Sequence, residues 1–420
     1  MRFSFIHAAD LHIDSPLAAL GRKNADAAVR FADAGRKAVT ALIDETLANK
    51  AAFLIIAGDI FDGDWTDYTT GLFFIGELAK LDRAGVPVFI LRGNHDAESK
   101  MSRSLRNWPA NVHLFSARKA ESFDLPELQT VLHGKSFPER NVPDDFVQAY
   151  PKAKPGWLNI GVLHTALDGV RGHASYAPCT EDDLRRFGYD YWALGHIHKP
   201  EVVARDPWIV FPGNIQGRSV RETGARGAMR VEVEDGQIVS VEPVTLDQAR
   251  WAMETLDIGV CPDEEALDTA IAERLRVVHD DAGGRPLALR LVLTGATPLH
   301  GALAVEQERI AAECQALAAR LADDFWIESL RLATQPPARV FAPLNESDAL
   351  DVEGLLRQAS EDPAFAETLA GLVGEIGGKL PRDLAEEFAL VLAGEPDGEK
   401  IVTHESQALL LGLLQKGRTS

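Results

Sequence analysis

The sequence predicts a mixed α/β (α+β) fold: one sheet built by alternating strands and helices, a second set of strands completing a sandwich, then a smaller α/β unit and a helical tail. Three observations carry this. Short apolar runs alternate with helical periodicity from Arg2 to Asp96, the pattern turns strand-rich after Asn111, and a strand-helix-strand-helix-strand order restarts near Trp251.

In order, RFSFIHAAD reads as a strand ending in polar residues, Asp33 to Lys50 as a helix, AAFLIIAGD as a buried strand, Tyr68 to Ala84 as a helix and VPVFILRGNHD as another buried strand. Each polar cluster falls at the carboxyl end of its strand, the edge where open α/β sheets place ligands. VHLF, LQTVLHG, WLNIGVLHT, DYWALGHIH, PWIVFPGN and AMRVEVEDGQIVSVEPV follow as strands separated by turn residues. The next unit reads as ETLDIGV (strand), Glu264 to Val278 (helix), PLALRLVLTG (strand), Leu303 to Leu321 (one long helix) and WIESLRLAT (strand). That βαβαβ order suits a cap domain. Three prolines without helical period mark 335–348 as a linker. The expected division is therefore 1–248, cap 249–334, linker 335–348 and a helical docking region 349–420.

At 420 residues the chain exceeds a single core, and 46% apolar with 25% charged residues is ordinary globular composition. No apolar run approaches a membrane span and the first residues form no signal-type segment, so a soluble, cytoplasmic protein is expected. Three scattered cysteines, Cys179, Cys261 and Cys314, argue against a disulfide framework or a thiolate zinc site. The net charge of -20 opposes nucleic-acid binding, but Glu346 to Ser420 alone holds 6 basic against 15 acidic residues.

Asp10 with His12, Asp59, Asn94 with His95 and Asp96, His164, and His196 with His198 all sit at expected strand ends. Two divalent ions that clamp the attacking and leaving oxygens of a phosphoryl displacement need a bridging carboxylate surrounded by neutral nitrogen and oxygen donors, and this set supplies them. Alternation along a strand would aim Asp10 with His12, and His196 with His198, to one side. Gly58, Gly93 and Gly195 would permit close backbone approach. Imidazole, carboxylate and amide donors without sulfur suit manganese, iron or zinc.

DLH, GDIFD, GNHD, the histidine of GVLHT, and GHIH, in this order, resemble the five signature segments of calcineurin-like metallophosphoesterases. HAADLHIDSPL and FPGNIQGRSVRETGARG are similar to the SbcD-like DNA repair exonuclease branch and, within it, to YhaO-type proteins. The resemblance implies a four-layer αββα sandwich over roughly residues 1–240. It implies one ion on Asp10, His12 and His198, the other on Asn94, His164 and His196, and Asp59 between them. It also implies two divalent ions, manganese first with iron or zinc as alternatives, and attack by a metal-activated hydroxide. His95 would face substrate as a catalytic donor, with Asp96 orienting it. An SbcC-type ATPase, docked on the C-terminal helices, is the implied partner; a homodimer is allowed.

Further residues have two readings each. His7 serves the site or packs within its strand; Asp62 orders the loop after Asp59 or caps a helix; Trp65 and Tyr68 pack in the core or stack on bases. Arg218, Arg221 and Arg226, in a segment with Arg230 and one Glu222, meet a phosphate backbone or lie on a solvated loop. His113, His133, His173, His279, His300 and His404 have no partner motif. The leading function is a manganese-dependent DNA exonuclease or endonuclease in repair. The alternatives are a phosphatase or phosphodiesterase on small molecules or phosphoproteins, and a subunit that binds DNA or an ATPase without turnover.

Overall fold

Alternation within each strand decides the layers of this protein. A computed structural model describes residues 1–17, 20–21, 24–62, 68–98, 105, 107–140, 142, 147–167 and 179–337, with Thr368, Gly371, Glu375 and Lys379. The first sheet has the order β12-β11-β1-β2-β3-β4, formed by β1 (Arg2–Ala8), β2 (Leu54–Ala57), β3 (Val88–Leu91), β4 (Val112–Leu114), β11 (Gly227–Glu234) and β12 (Gln237–Thr245). β1 to β4 are parallel and β11 joins β1 antiparallel. Along β2, Leu54 and Ile56 join the apolar cluster that holds Ala38, Val39, Leu42, Phe74 and Leu78 of α1 (Ala25–Ala48) and α2 (Tyr68–Arg83). Ile55 and Ala57 face the opposite way, into the core between the sheets. The short α3 (Asn94–Glu98) follows β3.

The second sheet, order β5-β6-β7-β8-β10-β9, comprises β5 (Glu121–Leu125), β6 (Thr130–Gly134), β7 (Leu158–His164), β8 (Tyr191–Gly195), β9 (Glu201–Arg205) and β10 (Trp208–Phe211). Ile160, Val162, Tyr191 and Ala193 fill the inter-sheet core, where the Phe5 and Phe53 rings stack 4.8 Å apart and Tyr191 meets Phe5 edge-on. Leu163, Trp192 and Leu194 turn outward onto a third cluster with Leu184 of α4 (Glu181–Arg186). Helix, sheet, sheet and outer helix are the four expected layers.

α1 begins earlier than Asp33, at Ala25, because the Asn24 side chain accepts the Ala27 N–H and caps it. The N-terminal half of its buried stripe, Ala27, Phe31, Ala34 and Ala38, is mostly alanine and so gives a weak periodic signal there. Tyr68 opens α2 at 57% exposure, which overturns the core reading for it, and Trp65 lies outside the described residues.

The chain divides into two compact units, Met1–Ala252 with Ala282–Ala288, and Met253–Asp281 with Leu289–Ser420. The second carries β13 (Arg250–Asp257), α5 (Glu264–Ala282), β14 (Leu287–Ala296), α6 (His300–Val305), α7 (Gln307–Leu321) and β15 (Phe325–Gln335), its sheet ordered β13-β14-β15. The single helix expected over 303–321 is two, because Glu306 leaves helical geometry at φ -115°, ψ 24°. Apart from 335–337 and four single positions, the expected linker and docking region lie outside the described residues. Among the described residues no helix is long and apolar enough to cross a membrane.

Candidate metal centre

Apart from His164, the last residue of β7, the residues expected at strand ends lie just past them, so strand alternation is not what aims them. β1 stops at Ala8 and β8 at Gly195. Asp10, His12, Asp59 and His196 then take positive φ values of 53°, 42°, 52° and 97°. Such backbone costs free energy and persists where surrounding bonds over-determine it. Those bonds are visible: Asp10 N–H donates to Gly58 O (2.9 Å), His12 N–H to Asp59 O (3.0 Å) and Ile13 N–H to Ile60 O (2.9 Å), running the two loops side by side. Gly58, at φ +100°, could carry no side chain: a Cβ there would lie 2.5 Å from His164 Nδ1.

Three groups of metal-type donors result, Asp10 with His12 and His198, Asp59 with His164 and His196, and His12 with Asp62 and His95; within each, one donor atom per residue lies within 4.8 Å of the others. Asn94 joins the second, its Oδ1 2.9 Å from His164 Nε2. The hydrogen bonding suits cations. His164 Nδ1 donates to Ala57 O, so its Nε2 faces two acceptors, Asn94 Oδ1 and Asp59 Oδ2 at 3.3 Å. Without a metal, burial opposes charge on this ring, yet the carboxylates of Asp59 and Asp10 push its pKa up to about 9. Burial pushes Asp10 up to about 6 against the pull of His198 and His164. His12 Nε2 and His198 Nε2 face each other at 3.1 Å, and His12 Nδ1 is buried without a hydrogen-bond partner among the described residues. Oxygen acceptors and imidazole nitrogens crowded together out of water are a donor set for divalent ions.

The carboxylate that meets His95 is Asp62, with Nδ1 to Oδ1 at 2.9 Å. Asp96, expected in that role, is fully buried and accepts the N–H groups of Ile60, Phe61 and Gly93 instead, tying the two loops beneath Asp59 together. Burial lowers the His95 pKa, but the bond from Asp62 and the charges of Asp59 and Asp62 outweigh it and raise the value. Asp62 also accepts from Ser15 Oγ (2.6 Å) and Arg218 (3.1 Å), which settles it as a loop-ordering residue.

His7, on β1, is fully buried against β8. Its Nε2–H donates to Leu194 O (3.2 Å), so Nδ1 accepts from the Tyr191 hydroxyl (2.9 Å), pinning the strands that lead to Asp10 and His196.

The arginine segment is built differently from expectation. Arg226 is 7% exposed and donates to His198 O, Asn214 Oδ1 and Thr223 O, so it is a buried brace and not a phosphate contact. Arg218 is held by Asp62 and Glu222. Arg221 alone of the three is exposed. Glu222, which motif reading passes over, accepts from His198 Nδ1 at 2.7 Å.

Comparison with known proteins agrees with this geometry. The calcineurin-like phosphoesterase family profile matches residues 3–200, and that of the middle domain of metallophosphoesterase YhaO matches residues 251–335. The uncharacterized metallophosphoesterase YhaO of Bacillus subtilis (strain 168) is 33% identical over 299 residues, 70% of this chain and 72% of the relative. The chain belongs to the calcineurin-like metallophosphoesterases. This metallophosphoesterase is also similar to two proteins named DNA double-strand break repair protein Mre11. That of Sulfurisphaera tokodaii is 22% identical over 291 residues (64% of this chain, 70% of the relative), and that of Methanopyrus kandleri 25% identical over 313 residues (67% and 65%). Calcineurin-like metallophosphoesterases hydrolyse phosphoesters with divalent metals, and the donor groups above are where this chain would hold them.

Proposed function

We propose that this metallophosphoesterase is a two-metal phosphodiesterase whose substrate is DNA. One ion would sit on Asp10, His12 and His198 and the other on Asn94, His164 and His196, with the Asp59 carboxylate shared. When bound, such a pair supplies charge for the phosphoryl oxygens and a nucleophile drawn from water at neutral pH. The observation that carries this reading is the place of Asp59: its Oδ2 lies 3.3 Å from His164 Nε2 and 3.9 Å from His12 Nε2, between the two donor groups. His95 hands its Nδ1 proton to the Asp62 hydrogen bond and keeps Nε2 for substrate. A ring held this way is placed to donate a proton to the leaving oxygen.

DNA as substrate is supported by the Mre11 relatives, and the same likeness supports a role in repair; the proposed location is the cytoplasm. Manganese is the proposed native ion on the family resemblance, with iron or zinc as the alternatives the donor chemistry also suits. An SbcC-type ATPase is the proposed partner, through residues 349–420, and a homodimer the proposed assembly. One observation favours a second reading, a small phosphodiester or monoester: two of the three arginines expected to meet a phosphate backbone are spent inside the protein.

The deciding experiment compares manganese-dependent hydrolysis of linear DNA, bis-nitrophenyl phosphate and nitrophenyl phosphate. Cleavage of DNA and the diester is expected. Turnover of the monoester alone would move the assignment to a phosphatase.

A further inference from the structure

Glu222 has every lone pair engaged, and its partners show what it is for. Its Oε2 accepts the Arg218 backbone N–H (2.7 Å) and Asn214 Nδ2 (2.8 Å), while Oε1 faces His198 Nδ1 (2.7 Å) and an Arg218 guanidinium nitrogen (3.4 Å). A carboxylate held this way cannot turn. The short contact with His198 requires a proton on Nδ1, which leaves the His198 Nε2 lone pair facing His12. A carboxylate behind a histidine fixes the tautomer and ring orientation that a metal needs.

The Arg218 guanidinium then reaches across to Asp62 Oδ2 at 3.1 Å, and Asp62 holds His95 with its other oxygen. One side chain thus spans the carboxylate behind His198 and the carboxylate behind His95. The Arg218 side chain is only 24% exposed, in keeping with a brace.

Resting on the two-metal reading above, we propose that Glu222 and Arg218 are positioning residues: Glu222 presents His198 to its ion, and Arg218 locks Asp62, and through it His95, to the same frame. The metal centre and the proton donor then share one support, so damage at Arg218 is felt at His95 without loss of metal.

The test uses the full chain and manganese alone before any substrate. Titration calorimetry should find two sites in the unaltered protein. In Glu222→Gln, which removes the charge behind His198 and turns one of the two acceptor oxygens into an NH2 donor, so that the His198 Nδ1–H and the Arg218 and Asn214 N–H groups cannot all be accepted, one site should weaken by about 10- to 100-fold and the other stay unchanged. Arg218→Lys, which keeps the charge but not the fork, should keep both sites and a KM for bis-nitrophenyl phosphate within about twofold, with kcat about tenfold lower. Adding His95→Ala to Arg218→Lys should cost about five- to tenfold less than His95→Ala costs in the unaltered protein, because the two act through one support.

Two unchanged sites in Glu222→Gln, additive effects of Arg218→Lys and His95→Ala, or a raised KM at constant kcat in Arg218→Lys would each overturn the inference while leaving the two-metal site standing. No manganese binding by the unaltered protein would overturn the ligand reading itself, and this inference with it. Should Glu222→Gln fail to fold, the Arg218→Lys cycle decides alone.

Discussion

His95 Nδ1 stands 2.9 Å from Asp62 Oδ1, and His95 N–H donates to Asp59 Oδ1 at 3.0 Å, so ring and backbone are held by different carboxylates. Removing the ring leaves the Asp59 contact intact. His95→Ala should therefore keep its full metal content and lose about 10²- to 10⁴-fold in kcat toward a diester with a poor leaving group. Asp59→Ala should lose both metal and turnover. Metal analysis of the two purified variants checks this, and equal metal loss in both would end the division of roles.

Gly93 has no room for a methyl group: a Cβ would lie 2.2 Å from Asp59 Oδ1 and 2.8 Å from Asp59 N. Both are rigid neighbours at the centre of the site. Gly93→Ala should push the Asp59 carboxylate aside and lower manganese affinity at least tenfold while the fold persists. Calorimetry and circular dichroism together would read it; unaltered affinity would show that Asp59 is not shared between ions.

Arg226 and Arg221 should behave oppositely. Losing Arg226 leaves His198 O, Asn214 Oδ1 and Thr223 O short of a donor, so Arg226→Met should cost about 3 kcal/mol of stability by denaturant unfolding. Arg221 is exposed, and Arg221→Ala should leave stability unchanged. If DNA is the substrate, Arg221→Ala should raise KM for long DNA and not for a small diester. Equal effects on both substrates would count against a role for Arg221 in the DNA path.

His7 makes the metal-free protein acid-sensitive. Burial lowers its pKa from 6.5 to about 3, only partly offset by the bond to Leu194 O. The unfolded chain thus binds this proton first as pH falls. The contribution of a neutral His7 is intact above pH 6.5 and is lost progressively from there toward pH 3, amounting to about 2 kcal/mol by pH 5. Denaturant unfolding with a chelator present, in His7→Gln beside the unaltered chain, measures it. The variant should show the shallower slope of stability against pH between 6.5 and 5, and parallel slopes would refute the assignment.

What was legible in the chain and what was not divides along range. Runs such as FLIIAGD and WALGHIH announce themselves because a strand buried on both faces is almost wholly apolar, and polar residues at its end have no structural reason to follow. Asp10, His12, Asp59, Asn94, His164, His196 and His198 could be named that way, and the structure gathers all seven. The aim of Asp10, His12, Asp59 and His196 could not, because these four take positive φ values in loops beyond their strands. Glu222 carries no local signal, and GDIFD marks Asp62 as a loop residue without showing its partner, since each meets a histidine that only tertiary folding brings near. Arg226 looked like surface for the same reason: three oxygen acceptors that take an arginine out of water come from His198, Asn214 and Thr223.

The central claim, that Asp59 is shared by two ions, is tested most directly by anomalous diffraction from crystals grown with manganese. The account predicts two peaks about 3.5 to 4 Å apart on either side of the Asp59 carboxylate, one against Asp10, His12 and His198 and one against Asn94, His164 and His196. A single peak, or two that do not share Asp59, would contradict it.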